Sequence, residues 1–166
     1  MGHGQVKVSH MNTDRFSGKS ILITGGAGGL GSQIARSIIA QGGSVGILDT
    51  NDAAIQSLVS ELKASGGNAA GQKVDVRDSK SVTAAVNELA KALGSVDVLI
   101  AAAGGSLGTP RDLDDISDDD FDLVLDVNVK GTFNCARAAI PHMKKAGGGY
   151  AGPGVKCLDC RDGIAG

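Results

Sequence analysis

Two rhythms of apolar residues alternate along the chain. A short continuous apolar run over residues 20–24 (SILIT) predicts a strand buried on both faces. Residues 29–41 then place Leu30, Ile34, Ile38 and Ile39 at helical spacing, and Gly42-Gly43 stops the helix. Residues 44–48 (SVGIL) predict a second strand that finishes at Asp49. A helix over 52–65 gathers Ile55, Leu58, Val59 and Leu62 on one face and ends at Gly66-Gly67. A weaker third strand is expected over 68–76. A helix over 79–93 follows, with Ser79 as N-cap and Val82, Val86, Leu89 and Leu93 as its stripe. Residues 96–103 (VDVLIAAA) predict the fourth strand, 104–115 a loop, and 117–146 one long helix. Strands and helices that alternate with short links imply a parallel sheet covered on both faces. Right-handed crossovers make it doubly wound. The pattern stops at residue 149. The expectation is therefore an α/β domain over 18–149, truncated after about four strands and the long helix. A polar extension over 1–17 and an irregular, glycine-rich tail over 150–166 flank it.

Composition narrows the function classes. The chain has 166 residues, 42% hydrophobic and 20% charged, with a formal net charge of −2. That suits one domain with a single core and is too apolar for a disordered chain. With 16 basic and 18 acidic residues, the basic excess of a dedicated nucleic-acid binder is missing. Three Phe, one Tyr and no Trp leave little for a base-stacking surface. No run approaches the ~20 apolar residues of a membrane span. The first 20 residues lack the apolar centre of a secretory signal, so a cytoplasmic protein is expected. Of three Cys, Cys135 falls in a helical pattern and reads as a buried thiol. Cys157 and Cys160 form a CxxC with no second ligand pair, so no metal site is expected.

The outlying residue is glycine, and its placement carries chemistry. The first strand runs into Thr24-Gly25-Gly26-Ala27-Gly28-Gly29-Leu30-Gly31, and a helix opens there. Glycine permits a tight turn and lets backbone approach a diphosphate with no Cβ between them. The helix start offers unpaired N–H groups and a partial positive charge. Asp49 ends the next strand, 18 residues past Gly31. A dinucleotide fold sets an acid about 20 residues on, where it accepts from the adenosine ribose hydroxyls and repels a 2′-phosphate. Its sequence neighbours Leu48, Thr50 and Asn51 include no Arg or Lys, which favours NAD over NADP.

The pattern TGxxxGxG, matched by Thr24, Gly25, Gly29 and Gly31, resembles the short-chain dehydrogenase/reductase family. Asp75-Val76 resembles that family's adenine-contacting pair. Residues 96–104 (VDVLIAAAG) resemble its fourth strand and NNAG motif, here Ala101-Ala102-Ala103-Gly104 with both Asn replaced by Ala. The segment 127–131 (VNVKG) resembles the stretch around the family's catalytic Asn, which falls on Asn128. The match covers about residues 16–149. The resemblance implies a Rossmann-like fold and hydride transfer between a nicotinamide cofactor and a secondary alcohol or ketone. It implies cofactor contacts at Thr24, Gly25, Gly29, Leu30, Gly31, Asp49, Asp75, Val76, Ala102, Ala103 and Gly104. It implies that Asn128 sits at a helix irregularity, with Gly131 permitting the distortion, and that the long helix over 117–146 is the surface for homo-oligomers.

The family's Tyr-x-x-x-Lys pair and upstream Ser have no counterpart. Tyr150 is followed four residues on by Gly154, and Gly152, Pro153 and Gly154 oppose a helix. A Tyr needs that Lys because its ordinary pKa near 10 makes it a poor base at neutral pH. The fifth strand expected after Gly149 is not legible. Residues 155–166 can be encoded so that a one-base shift reads VSSASIAGMALQ, so a frameshifted tail with an accidental CxxC is the expectation. The expected protein is a catalytically incomplete NAD-dependent oxidoreductase. The alternatives are a non-enzymatic dinucleotide-binding module and a structural partner of a full-length homologue. No residue names the substrate.

Overall fold

The structure is a computed structural model that describes residues 14–110, 112–153 and 158–159. In chain order it contains β1 (Ser20–Thr24), α1 (Gly29–Ala40), β2 (Ser44–Asp49), α2 (Asp52–Ala64), β3 (Asn68–Lys73), α3 (Ser79–Leu93) and β4 (Val98–Ala101). A single turn of 3-10 helix (Leu113–Asp115), α4 (Asp118–Leu125), a π-helical turn (Asp126–Gly131), α5 (Thr132–Lys145), β5 (Tyr150–Pro153) and β6 (Leu158–Asp159) follow. The sheet order is β3-β2-β1-β4-β5-β6, parallel except for β6. This is the doubly wound, Rossmann-like architecture that the alternation implies.

Alternate residues of each strand feed opposite layers. Ile21, Ile23, Val45 and Ile47 pack beneath α1 and α2 with Ile38, Ile55 and Leu58. Leu22, Leu48 and Leu99 pack on the other side with Val82, Val86 and Leu89 of α3 and Cys135, Ala139 and Met143 of α5. The central strands β1 and β2 are buried on both faces, which is why they read as continuous apolar runs.

Several local expectations are corrected. Leu30 is 71% exposed and takes no part in the buried face of α1, which is built from Ala35 and Ile38. The cap of α3 is Asp78, whose carboxylate accepts from the N–H groups of Lys80 and Ser81; Ser79 is the first helical residue. The third strand closes at Lys73, three residues short of Val76. Residues 150–153 pair with β4 in parallel, so a short fifth strand exists where the glycine-rich sequence gave no periodic signal. The expected long helix begins as read, with Ser117 and Asp120 in a reciprocal capping box, but it swells into the π-helical turn at its centre. It runs through Pro141 to Lys145. Residues 1–13 of the expected polar extension, both Cys of the CxxC, and all of the tail from 154 except β6 lie outside the described residues.

Candidate functional site

The carboxyl ends of the strands open on a cleft of about 330 Å³, at the point where strand order reverses between β1 and β4. Doubly wound sheets bind ligands at such a point, because neighbouring crossovers leave in opposite directions and part the loops. Of the residues singled out from sequence, Gly25, Asp49, Asp75, Val76, Ala103 and Gly104 line the cleft.

The glycine turn is shaped by close approach. Gly25 has φ +63°, and a Cβ there would lie 3.0 Å from backbone atoms of Ala102 and Ala103. A Cβ on Gly31 would collide with the carbonyl oxygen of Gly25 and sit 2.7 Å from Gly26 Cα. Around Gly29 the space is open. Helix α1 follows Gly28 at its N-cap position, with no side-chain cap and no acid in its first turn. Its N-terminus therefore keeps its positive end available to an anion. Thr24 is buried under the turn, and its hydroxyl oxygen accepts from the Ala103 N–H at 3.1 Å, tying β1 to the loop after β4. That bond runs to the backbone of Ala103, so the Ala101-Ala102 replacement of the two Asn leaves it intact.

Asp49 joins two loops. Its Oδ2 accepts from the Ala27 N–H of the glycine turn and its Oδ1 from the Asn51 N–H, each at 3.1 Å. The fold also places two cationic residues on neighbouring elements that the sequence around Asp49 does not include. Sheet register pairs Asp49 with Lys73, and Arg77 lines the same cleft. Arg77 is held by Asp75: Nη2 donates to Oδ2 at 2.6 Å, Nε lies 3.0 Å from both oxygens, and the Arg77 N–H donates to Oδ1 at 2.9 Å. The hydrogen-bonded guanidinium holds the Asp75 carboxyl below the usual range.

Asn134 escaped the sequence reading. Only 4% exposed, it donates from Nδ2 to the Val76 carbonyl at 3.0 Å and to the Arg77 carbonyl at 3.4 Å. The available signal was a polar residue on the buried stripe of α5. Gly131 has ordinary helical angles, φ −60° and ψ −46°, so it does not ease the distortion as expected. What needs glycine is contact: a Cβ there would stand 2.5 Å from Val76 Cγ2.

Asn128 lies inside the π-helical turn. Its Oδ1 accepts from the Gly105 N–H at 3.0 Å, and its Nδ2 donates to the carbonyls of Gly105 at 3.0 Å and Val124 at 2.9 Å. A Cβ on Gly104 would collide with that amide oxygen. The backbone carbonyl of Asn128 accepts from the Thr132 hydroxyl at 2.7 Å. The side chain thus fastens the loop after β4 to the helix. Gly29, Leu30, Gly31, Thr24, Ala102 and Asn128 do not line the cleft; the glycines and Thr24 shape it, and Leu30 stands exposed at the start of α1. Among the described residues, no group of three or more His, Cys, Asp or Glu could hold a metal, and no helix is long and apolar enough to cross a membrane.

A family profile described as short chain dehydrogenase matches residues 19–151. The chain is 39% identical over 135 residues to 2-dehydro-3-deoxy-L-rhamnonate dehydrogenase (NAD(+)) of Sphingomonas sp. strain SKA58, covering 81% of this chain and 52% of that protein. It is 34% identical to D-threitol dehydrogenase of Mycolicibacterium smegmatis, covering 81% and 51%. Among solved structures, NAD+-bound xylitol dehydrogenase is similar with a TM-score of 0.79 at 28% identity, covering 84% of this chain and 53% of that one. A 7α-hydroxysteroid dehydrogenase complexed with NADH and 7-oxo glycochenodeoxycholic acid has a TM-score of 0.77 at 31% identity, covering 86% and 55%. The chain spans about half the length of the curated relatives it matches.

Proposed function

The chain belongs to the short-chain dehydrogenase family, and from that premise we propose that it is the cofactor-binding half of an oxidoreductase that transfers hydride between NAD(H) and a secondary alcohol or ketone. The observation that carries the reading is the uncapped, acid-free start of α1 fed by a turn that requires glycine at Gly25 and Gly31, with a carboxylate at its rim. The residues fit the cofactor. The backbone of residues 29–31 and the α1 dipole would hold its diphosphate. Asp49 would accept from the ribose hydroxyls, and Asp75 and Val76 would meet the adenine. When bound, the nicotinamide supplies the hydride-transfer chemistry. Asn128 acts as a positioning residue by fixing the loop that borders the cleft. The carboxylate of Asp49 repels a 2′-phosphate, which supports NAD over NADP.

No Tyr in these 166 residues has a Lys four positions on. We therefore read the chain, taken alone, as a dinucleotide binder without turnover. One observation favours a second reading, that it pairs with another copy or with a longer homologue. Phe121, Leu125, Val129 and Phe133 form an exposed stripe at four-residue spacing along α4, the π-helical turn and α5. Asp118, Asp119 and Asp122 flank one end of the stripe and Arg137, Lys144 and Lys145 the other, so antiparallel pairing matches opposite charges.

Isothermal titration of the 166-residue chain with NADH and NADPH tests the proposal. NADH binding at least about tenfold tighter is expected. Equal affinities would remove the NAD assignment, and a folded chain that binds neither would overturn the cofactor reading.

A further inference from the structure

Dinucleotide binding as proposed above leaves one part of the cleft without a function: the guanidinium of Arg77. The cleft runs outward from the switch point, past Asp49 at the end of β2, to the turn after β3 where Asp75, Val76 and Arg77 stand. A ligand with its diphosphate at the glycine turn and its ribose at Asp49 therefore presents its nucleobase to that turn.

The turn is braced from two sides. From within, buried Asn134 holds the carbonyls of Val76 and Arg77, and Gly131 lets its helix approach Val76. From outside, Arg77 brings three donor hydrogens to the Asp75 carboxylate: its own N–H, an Nε–H shared between both oxygens, and an Nη2–H. An ionised carboxylate offers about four acceptor directions and no donor. About one acceptor direction then remains on a carboxylate that lines the cleft. An exposed ion pair of this kind contributes little stability. Its consequence is directional: with three donors gathered on the Arg77 side, the acceptor direction left to the carboxylate is set.

We propose that Arg77 is a positioning residue for nucleobase selection, pinning Asp75 so that the cleft takes a base presenting an amino group, such as adenine, over one presenting a carbonyl, such as hypoxanthine. Adenine carries a donor N6 amino group. Hypoxanthine sets a carbonyl oxygen at the same place, which would face the pinned carboxylate as acceptor against acceptor. Arg77 itself touches no reacting atom.

The test is titration of the full chain with NAD and with nicotinamide hypoxanthine dinucleotide. The wild-type chain is expected to favour NAD by about tenfold or more, the worth of a hydrogen bond to a charged group. In Arg77→Ala that ratio is expected to fall to within about threefold of unity, because the freed carboxylate can rotate away from either base. If both affinities drop together and the ratio holds, Arg77 is merely structural and the inference fails. If Arg77→Ala loses its far-UV signal, Arg77→Lys carries the test. An ammonium cannot bridge both carboxylate oxygens as the planar fork does, so a reduced ratio supports the inference and an unchanged one overturns it. A wild-type chain that binds both dinucleotides equally overturns this inference alone. A folded wild-type chain that binds neither overturns the dinucleotide reading beneath it.

Discussion

At the end of the sheet opposite the cleft, replacing Asp97 tests how the strands are held together. Asp97 is 7% exposed, and one carboxylate serves three partners. Oδ2 accepts from the Ser20 N–H and the Ser95 hydroxyl, both at 2.9 Å, and Oδ1 from Lys19 Nζ at 3.1 Å. Its backbone N–H donates to Ser20, and its carbonyl accepts from Tyr150, so β1, β4 and β5 converge on one residue. Asp97→Ala orphans the buried Ser20 N–H, which costs about 1–3 kcal/mol. Losing the Lys19 contact adds up to about 1 kcal/mol, because that side chain is 56% exposed and screened. The expected loss is about 3 kcal/mol, a fall in Tm of roughly 6–12 °C for a domain of this size. Burial pushes the Asp97 carboxyl up, but the Ser20 N–H, Lys19 and Ser95 together outweigh it and hold the group below its ordinary value. A carboxyl depressed in the folded state stabilises fully above its unfolded pKa of about 3.9 and loses that contribution as pH falls through the folded value. Urea unfolding followed by far-UV circular dichroism, at pH 7 and then stepwise downward, measures both effects. The gap between the parent and Asp97→Asn should shrink below about pH 4. A loss under about 1 kcal/mol for Asp97→Ala, or a gap that stays constant with pH, would refute the reasoning.

Two other outcomes follow from close contacts and burial. Gly31→Ala drives a Cβ into the Gly25 carbonyl and Gly26 Cα, which are backbone atoms that cannot swing aside. It should weaken NADH binding by at least about tenfold, read by titration, while the far-UV spectrum keeps its α/β shape. Cys135 is 1% exposed, and burial pushes its thiol up to about 11, so little thiolate exists at pH 8. Iodoacetamide labelling mapped by mass spectrometry should leave Cys135 unmodified in the folded chain and modify it in urea; equal labelling in both would show that the α5 layer is open.

How far the sequence reached depended on the range of the interaction. Apolar periodicity located the first four strands and the helices between them, because a strand buried on both faces or a helix buried on one must carry its pattern locally. The glycine turn and Asp49 were legible for the same reason: strand, turn and helix are contiguous, and the acid follows at a set distance. The cap of α3 was read to within a residue, since Asp78 displaces Ser79. Asn128 was legible through the motif around it, but its hold on Gly105 was not, for the two stand 23 residues apart in sequence. The fifth strand lay hidden because β4 supplies its pairing partners while its own residues carry no alternation. Arg77 shares a cleft with Asp49, and Lys73 its register, only through the fold and the pairing of β2 with β3, and Asn134 reaches Val76 only across the α5 layer. Local pattern determined by itself the first four strands, the helices between them and where the glycine turn lies. Packing alone decided which side chains from distant segments share the cleft, because hydrogen bonds and close contacts depend on distance in space and leave no period along the chain.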